Sequence, residues 1–186
     1  MLEIVFETHA WSVDNASGIA TGWLPGRLSE YGKQQAKELG ARRRDDGVSA
    51  VYTSDLARAV ETADIAFADT DIPIYRDARL RECNYGELNG APVAKIDAVR
   101  LRHLDEPFPG GESYRAAVAR VGDLLQELSR TRDGERVLLI GHGATHFALE
   151  HLVNGVPLEK LVAGPFEWQE GWIYRVTARN TTDART

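Results

Sequence analysis

The sequence predicts an α/β fold, a three-layer α/β/α sandwich built on a mostly parallel, open sheet. Two observations support this prediction. Short runs of β-branched and apolar residues recur along the chain, and stretches with the 3.6-residue spacing of amphipathic helices separate them. Strands that alternate with helices are typical of a parallel sheet whose two faces are both covered.

Five runs are expected to form strands, at Leu2–Glu7, Val48–Thr53, Ile72–Tyr75, Val137–Ile140 and Trp172–Val176. Helices are expected at about 29–44, 54–67, 114–128 and 143–153. Ser54 is the expected N-cap of the second helix, whose apolar stripe is Leu56, Ala59, Val60, Ala63 and Phe67. The third has a longer stripe of Tyr114, Val118, Val121, Leu125 and Leu128.

Length and composition favour one globular domain over residues 1–186, since domains commonly run ~100–200 residues. The net charge of −6 argues against nucleic acid or an anionic membrane as partners, because both need a basic surface.

Cys83 is the single cysteine, so an intrachain disulfide is excluded and a cytoplasmic location is expected. The N-terminus has no signal-peptide pattern, and no apolar run approaches the ~18 residues of a membrane helix. Whether the chain forms a homodimer is left open.

Polar side chains follow three of the predicted strands. His9 comes just after the first strand, Arg58 lies one helical turn beyond the second, and His142 follows the fourth. In open α/β sheets the ligand site lies beyond the carboxyl ends of the strands, so these side chains are expected around one crevice. Glu82, in a loop between the third and fourth strands, supplies a carboxyl group.

Several motifs occur in an order that resembles the histidine phosphatase superfamily, which includes cofactor-dependent phosphoglycerate mutases and many small-molecule phosphatases. The resemblance covers nearly the whole chain. It rests on the spacing of His9, Ser12 and Asn15, and on the stretches Gly22-Trp23, Leu28 to Ala36, Tyr52 to Ala63, Leu80 to Gly86, Pro109 to Ser113 and Ile140 to Gly143.

The resemblance implies a phosphoryl-transfer site. His9 would take the phosphoryl group as a phosphohistidine, Arg58 and His142 would clamp its oxygens, and Glu82 would protonate the leaving alkoxide. The positions implied to bind the substrate are Thr8, Ser12, Asn15, Arg58, Gly143 and Trp11, the last as pocket lining. No cofactor or metal is expected, because the arginine and the imidazole neutralise the phosphoryl charge.

One departure from the family pattern concerns the residue before His9. The family has arginine there, whereas this chain has Thr8, and the glycine that follows the histidine is Ala10. One preorganised donor at a transition state is worth roughly 3 kcal/mol.

The first expectation is a phosphatase for a small phosphorylated metabolite, with weakened or altered activity. The alternative is a repurposed scaffold, either a non-catalytic binding protein or an acid/base enzyme for a non-phosphorylated ligand.

Three further features of the sequence bear on its function. The short stretch between Gly86 and Phe108 disfavours a mutase. His142 and His146 have the spacing of a zinc-binding pair, but Gly143 stands where a metalloprotease has its glutamate. His146 is therefore expected to be a packing or pocket-wall residue, and Cys83 a small buried hydrophobe.

Overall fold

A computed structural model describes residues 1–177 of the chain. The strands are β1 (Leu2–Thr8), β2 (Ile19–Ala20), β3 (Ala50–Thr53), β4 (Ile74–Arg76), β5 (Ala91–Pro92), β6 (Arg136–Gly141) and β7 (Trp172–Val176). The helices are α1 (Val13–Ala16), α2 (Glu30–Arg43), α3 (Ala57–Ala66), α4 (Val93–Val99), α5 (Tyr114–Thr131), α6 (Gly143–Asn154) and α7 (Leu158–Ala163). Short 3-10 turns occupy 78–80, 86–88 and 100–103.

The main sheet has the strand order β4-β3-β6-β1-β7. β1, β3, β4 and β6 are parallel, and β7 pairs antiparallel with β1 at the edge. The predicted mostly parallel sheet and α/β fold are therefore confirmed. The tail beyond residue 177, which the sequence marks as polar, lies outside the described residues.

Side chains of β1 alternate between two apolar layers, as the period of two requires. Leu2, Ile4 and Phe6 pack in the layer that contains α5 and α6. Val5 packs in the opposite layer with Leu39 of α2 and with residues of α3. The central strands β1, β3 and β6 are buried on both faces, which explains why they are mostly apolar, whereas the edge strands β4 and β7 have exposed residues.

Helix α5 has the predicted stripe, since Tyr114, Val118, Val121, Leu125 and Leu128 are all buried. Helix α2 lacks a large apolar stripe and instead approaches its neighbours closely at small residues. Gly32 lies against the backbone of Trp11, and Gly40 lies against the carbonyl of Ala66. The weak apolar pattern of α2 thus reflects close packing of backbones.

The sequence prediction was wrong at several element ends and missed the short elements. β3 begins at Ala50 and β4 at Ile74, each two residues later than expected. Helix α3 begins after Leu56, so Ser54 is not its N-cap. Four-residue and two-residue elements such as α1 and β2 carry too few residues to show a period. No helix within residues 1–177 is long and apolar enough to cross a membrane.

Candidate active site

His9 lies immediately after β1, at the carboxyl edge of the sheet. Its backbone N–H donates to the carbonyl of Gly141, and its ring Nδ1 lies 2.7 Å from the carbonyl of Ala10. A carbonyl only accepts, so Nδ1 carries the proton and Nε2 keeps a free lone pair. The next N–H, that of Ala10, donates to the Thr62 hydroxyl at 3.0 Å. The imidazole is thereby fixed in one tautomer, with the lone pair on Nε2.

Arg58 in the first turn of α3 connects this imidazole to a second one. Its Nε donates to His9 Nε2 at 3.3 Å, and its Nη2 lies 3.3 Å from His142 Nδ1. Nη2 also donates to the carbonyl of Gly22 at 3.0 Å. The residue is 3% exposed, and its Nη1 is buried without a hydrogen-bond partner among the described residues. An orphaned guanidinium N–H in this position is a ready donor for an anion.

His142 caps the N-terminus of α6 and is 1% exposed. Its Nε2 lies 2.8 Å from the Ser54 hydroxyl, and its ring centroid is 5.0 Å from that of His9. Ser54, expected only as a helix cap, therefore belongs to the site. A serine directly after a buried strand could have been recognised by the same positional rule that selected His9.

Both imidazoles are held neutral. Burial, followed by the positive charge of Arg58, lowers the pKa of His9 to about 3, against the opposing effect of the Ala10 carbonyl. The same two causes lower the pKa of His142 well below its usual range. A neutral imidazole is the form that a nucleophile requires.

Glu82 lies over the N-terminus of α6, beside His142. Its carboxyl oxygens accept the N–H groups of Cys83 at 2.8 Å, Ala144 at 3.1 Å and Gly143 at 3.2 Å. The predicted residues Glu82 and Gly143 are thus in direct contact. The helix N-terminus and three donors hold the carboxyl group in one position.

Trp23 and Arg120 fix the backbone of the Glu82 loop from two sides. The indole N–H of Trp23 donates to the carbonyl of Glu82 at 2.7 Å, and Arg120 Nη2 donates to the same oxygen at 2.9 Å. Arg120 also donates to the carbonyls of Arg79 and Arg81 and pairs with Glu112. The role of Arg120 is not visible in the sequence, because a position in the middle of α5 gives no signal of contact with a loop.

Four of the predicted substrate-binding residues do not join this cluster of hydrogen bonds. The Ser12 hydroxyl and the Asn15 side chain bond to each other in the capping box of α1. Thr8 is partly buried at the end of β1, paired with Gly141. The Trp11 side chain is 45% exposed, and within residues 1–177 no hydrogen bond or ring contact of its indole is seen. Their roles toward a substrate stay predictions.

The remaining candidates have structural surroundings. Cys83 is fully buried, as expected, and burial raises the pKa of its thiol. His146 stacks among aromatic rings. Within the described part of the chain no cluster of three His, Cys, Asp or Glu side chains is placed to hold a metal ion.

Comparison with known proteins identifies the lineage of this site. Residues 4–181 match the model of the histidine phosphatase superfamily (branch 1). The chain belongs to the histidine phosphatase superfamily. A 2,3-bisphosphoglycerate-dependent phosphoglycerate mutase of Methylobacterium sp. (strain 4-46) is 31% identical, with 98% of this chain and 95% of the relative covered.

Two solved structures of the superfamily resemble this fold. Bacillus stearothermophilus YhfR has a TM-score of 0.82 and 28% identity, with 95% of this chain and 92% of that chain covered. A mycobacterial glucosyl-3-phosphoglycerate phosphatase in complex with VO3 has a TM-score of 0.76 and 28% identity, with 87% of this chain and 86% of that chain covered. The phosphoglycerate mutase-like fold is therefore established, and the superfamily contains both mutases and phosphatases.

Proposed function

We propose that this protein is a phosphatase that hydrolyses a small-molecule phosphate monoester through a phosphohistidine. The observation that carries the proposal is Arg58, whose buried guanidinium contacts both imidazoles and has no partner for Nη1 among the described residues. A phosphoryl oxygen supplies the acceptor that Nη1 lacks. The planar fork of arginine suits two oxygens of one phosphoryl group.

In the first step His9 Nε2 attacks phosphorus in line with the leaving oxygen. A bond forms between Nε2 and phosphorus, the bond from phosphorus to the ester oxygen breaks, and the alcohol leaves with a proton from Glu82. Arg58 spreads the charge of the equatorial oxygens. His142, whose Nδ1 faces Arg58, bonds to the same group when it carries a proton on that atom.

In the second step water attacks the phosphohistidine. Glu82, now a carboxylate, takes the proton of the attacking water, and His9 leaves as a neutral imidazole. The hydrogen bond from Nδ1 to the Ala10 carbonyl is retained throughout and keeps the lone pair on Nε2. The three N–H donors to Glu82 hold its carboxyl group beside His142 in both steps.

A phosphoglycerate mutase is the second candidate, since relatives with about 30% identity carry that name. A mutase returns the phosphoryl group from histidine to a substrate hydroxyl, whereas a phosphatase passes it to water. The two differ in the acceptor, so release of inorganic phosphate separates them.

A screen of several dozen phosphorylated metabolites tests the proposal. We expect phosphate release from at least one monoester by the native protein and a loss of at least a thousandfold in His9→Ala. His151→Gln, a change in a histidine that bonds to the Val156 carbonyl outside the site, serves as the matched control. Uniform inactivity of the native protein would overturn the proposal, and phosphoryl transfer between phosphoglycerates without phosphate release would favour the mutase.

A further inference from the structure

The arginines around the site are already paired with carboxylates, apart from Arg58. Arg79 pairs with Asp77 at 2.7 Å and with Glu127 at 2.9 Å. Arg81 pairs with Asp55 at 2.6 Å in a two-point contact. Neither guanidinium is therefore free to replace the arginine that the family carries at position 8.

Two other arginines lie outside the contacts that join the two imidazoles. Arg120 pairs with Glu112 at 2.6 Å and also donates to carbonyl groups of the loop that contains Glu82. Arg27 is exposed and lines a surface groove between α2 and α3 together with Glu61 and Asp64. Within residues 1–177, Arg58 is thus the one guanidinium that both touches the two imidazoles and has no ion-pair partner. One such charge suits one phosphoryl group, and within residues 1–177 no second unpaired guanidinium contacts the two imidazoles.

An aromatic wall, defined as His146, Phe166 and Trp172, stands at the same edge of the sheet. His146 and Trp172 have ring centroids 4.5 Å apart, Phe166 is 5.5 Å from His146, and Phe166 is 6.0 Å from Trp172. Phe166 is 39% exposed, so part of this apolar surface is open.

The register of the strands places the wall relative to His9. Trp172 pairs with Phe6, and the ring of His146 stacks over Phe6 at 6.1 Å. Phe6 precedes His9 by three residues, or about 10 Å along a strand. Thr8 lies between them and, by alternation, on the same side of β1 as Phe6. The position at which the family has arginine therefore adjoins the aromatic wall.

His146 has unused hydrogen-bonding capacity within this wall. Both of its ring nitrogens are buried without a hydrogen-bond partner in the described structure, and the Glu150 carboxylate stands 3.7 Å away. Because these nitrogens are buried, the ring offers a ligand its apolar faces and edges. Burial lowers the pKa of His146, so the ring is neutral at pH 7 and adds no charge.

We infer that the site selects phosphate monoesters whose alcohol part is uncharged and has a flat apolar group, which lies over Thr8 against the aromatic wall. This inference rests on the proposed phosphatase function. It disfavours phosphoglycerates and bisphosphates, because their additional carboxylate or phosphate would meet the uncharged Thr8 and apolar rings.

Calorimetric titration of His9→Ala tests the inference without turnover. The probes are inorganic phosphate, 2-naphthyl phosphate and 3-phosphoglycerate at pH 7. We expect 2-naphthyl phosphate to bind at least tenfold more tightly than phosphate, and 3-phosphoglycerate to bind no more tightly than phosphate. In the double variant His9→Ala/Phe166→Ala, the affinity for 2-naphthyl phosphate should fall at least fivefold, while the affinity for inorganic phosphate should change by less than twofold.

Tyr75→Ala is the matched control, because Tyr75 is a partly exposed aromatic residue on the opposite edge strand β4. It should leave all three affinities within twofold. Equal affinities for phosphate and naphthyl phosphate, or tightest binding of 3-phosphoglycerate, would overturn the inference while phosphate binding and turnover still support the phosphatase. If no probe binds and the native protein releases no phosphate, the proposed function falls together with the inference.

Discussion

Arg58 controls the protonation of the site through two contacts. It donates to the lone pair of His9 and lies against Nδ1 of His142, each at 3.3 Å. Its charge adds to the effect of burial in lowering the pKa of both imidazoles. The guanidinium that we propose binds the phosphoryl group therefore also keeps His9, the proposed nucleophile, in its neutral form.

Thr8 brings no positive charge to the site. We therefore predict that an arginine at this position increases phosphatase activity. Thr8→Arg should raise phosphatase kcat/KM for p-nitrophenyl phosphate by roughly one to three orders of magnitude, the scale of one charge-assisted donor. Neither Arg79 nor Arg81 competes for this role, since both are paired. Steady-state kinetics of the two proteins check the prediction, with Thr8→Leu as an uncharged control. A folded Thr8→Arg protein with an unchanged or lower rate would contradict it.

The assignment of Glu82 predicts a dependence on the leaving group. A p-nitrophenolate needs little protonation, whereas an alkoxide needs a proton from the acid. Glu82→Gln should therefore lower kcat at least tenfold more for an alkyl phosphate than for p-nitrophenyl phosphate. The amide oxygen can still accept from the Cys83 and Ala144 N–H groups, whereas the amide NH2 cannot accept from Gly143, so two of the three hydrogen bonds that hold the side chain are retained. Equal losses on both substrates would argue against Glu82 as the acid.

At the scale of elements, close backbone packing joins α2 to α3. A Cβ on Gly40 would overlap the carbonyl oxygen of Ala66, whereas a Cβ on Gly122 in α5 would only reach van der Waals contact with Leu152. Gly40→Ala should lower the free energy of unfolding by about 1–3 kcal/mol despite better helix propensity. Gly122→Ala should raise it by up to about 1 kcal/mol. Urea denaturation measures both, and a stabilised Gly40→Ala protein would contradict the packing account.

The sequence predicted the elements whose periodicity is long and missed those set by tertiary contacts. Helix α5 shows its stripe because it packs large side chains on the sheet. Helix α3 begins later than expected, because the Ser54 hydroxyl bonds to His142 and also accepts from the Leu56 N–H. The periodicity of a sequence shows which face of a helix is buried. It does not show that Ser54 bonds to His142, which is 88 residues away in the sequence.

The same limit applies to the site. The positional rule for parallel sheets brought out His9, Arg58 and His142, which the structure places in one cluster. The contact of Arg120 with the Glu82 carbonyl could not be predicted, because an arginine inside a helix is usually solvent-exposed.

For the whole molecule, the buried imidazoles link stability to pH. Because the folded-state pKa of His9 lies near 3, below its ordinary value of 6.5, the unfolded chain binds more protons between those values. The free energy of unfolding should therefore fall as the pH drops from about 6.5 towards 3, by at most about 1.4 kcal/mol per pH unit for this residue. His142 changes stability in the same direction. In His9→Asn the slope should be shallower over this range, as denaturant titrations at several pH values would show. Identical slopes would contradict the burial of a neutral His9.

The central claim is that His9 carries the phosphoryl group during turnover. The most direct test is to react the native protein with a 32P-labelled aryl phosphate, stop the reaction rapidly with base and map the labelled peptides. We predict label on the peptide that contains His9, stable to base, labile to acid and absent from His9→Ala. Turnover by the native protein with no trapped label, together with undiminished turnover by His9→Ala, would contradict the account.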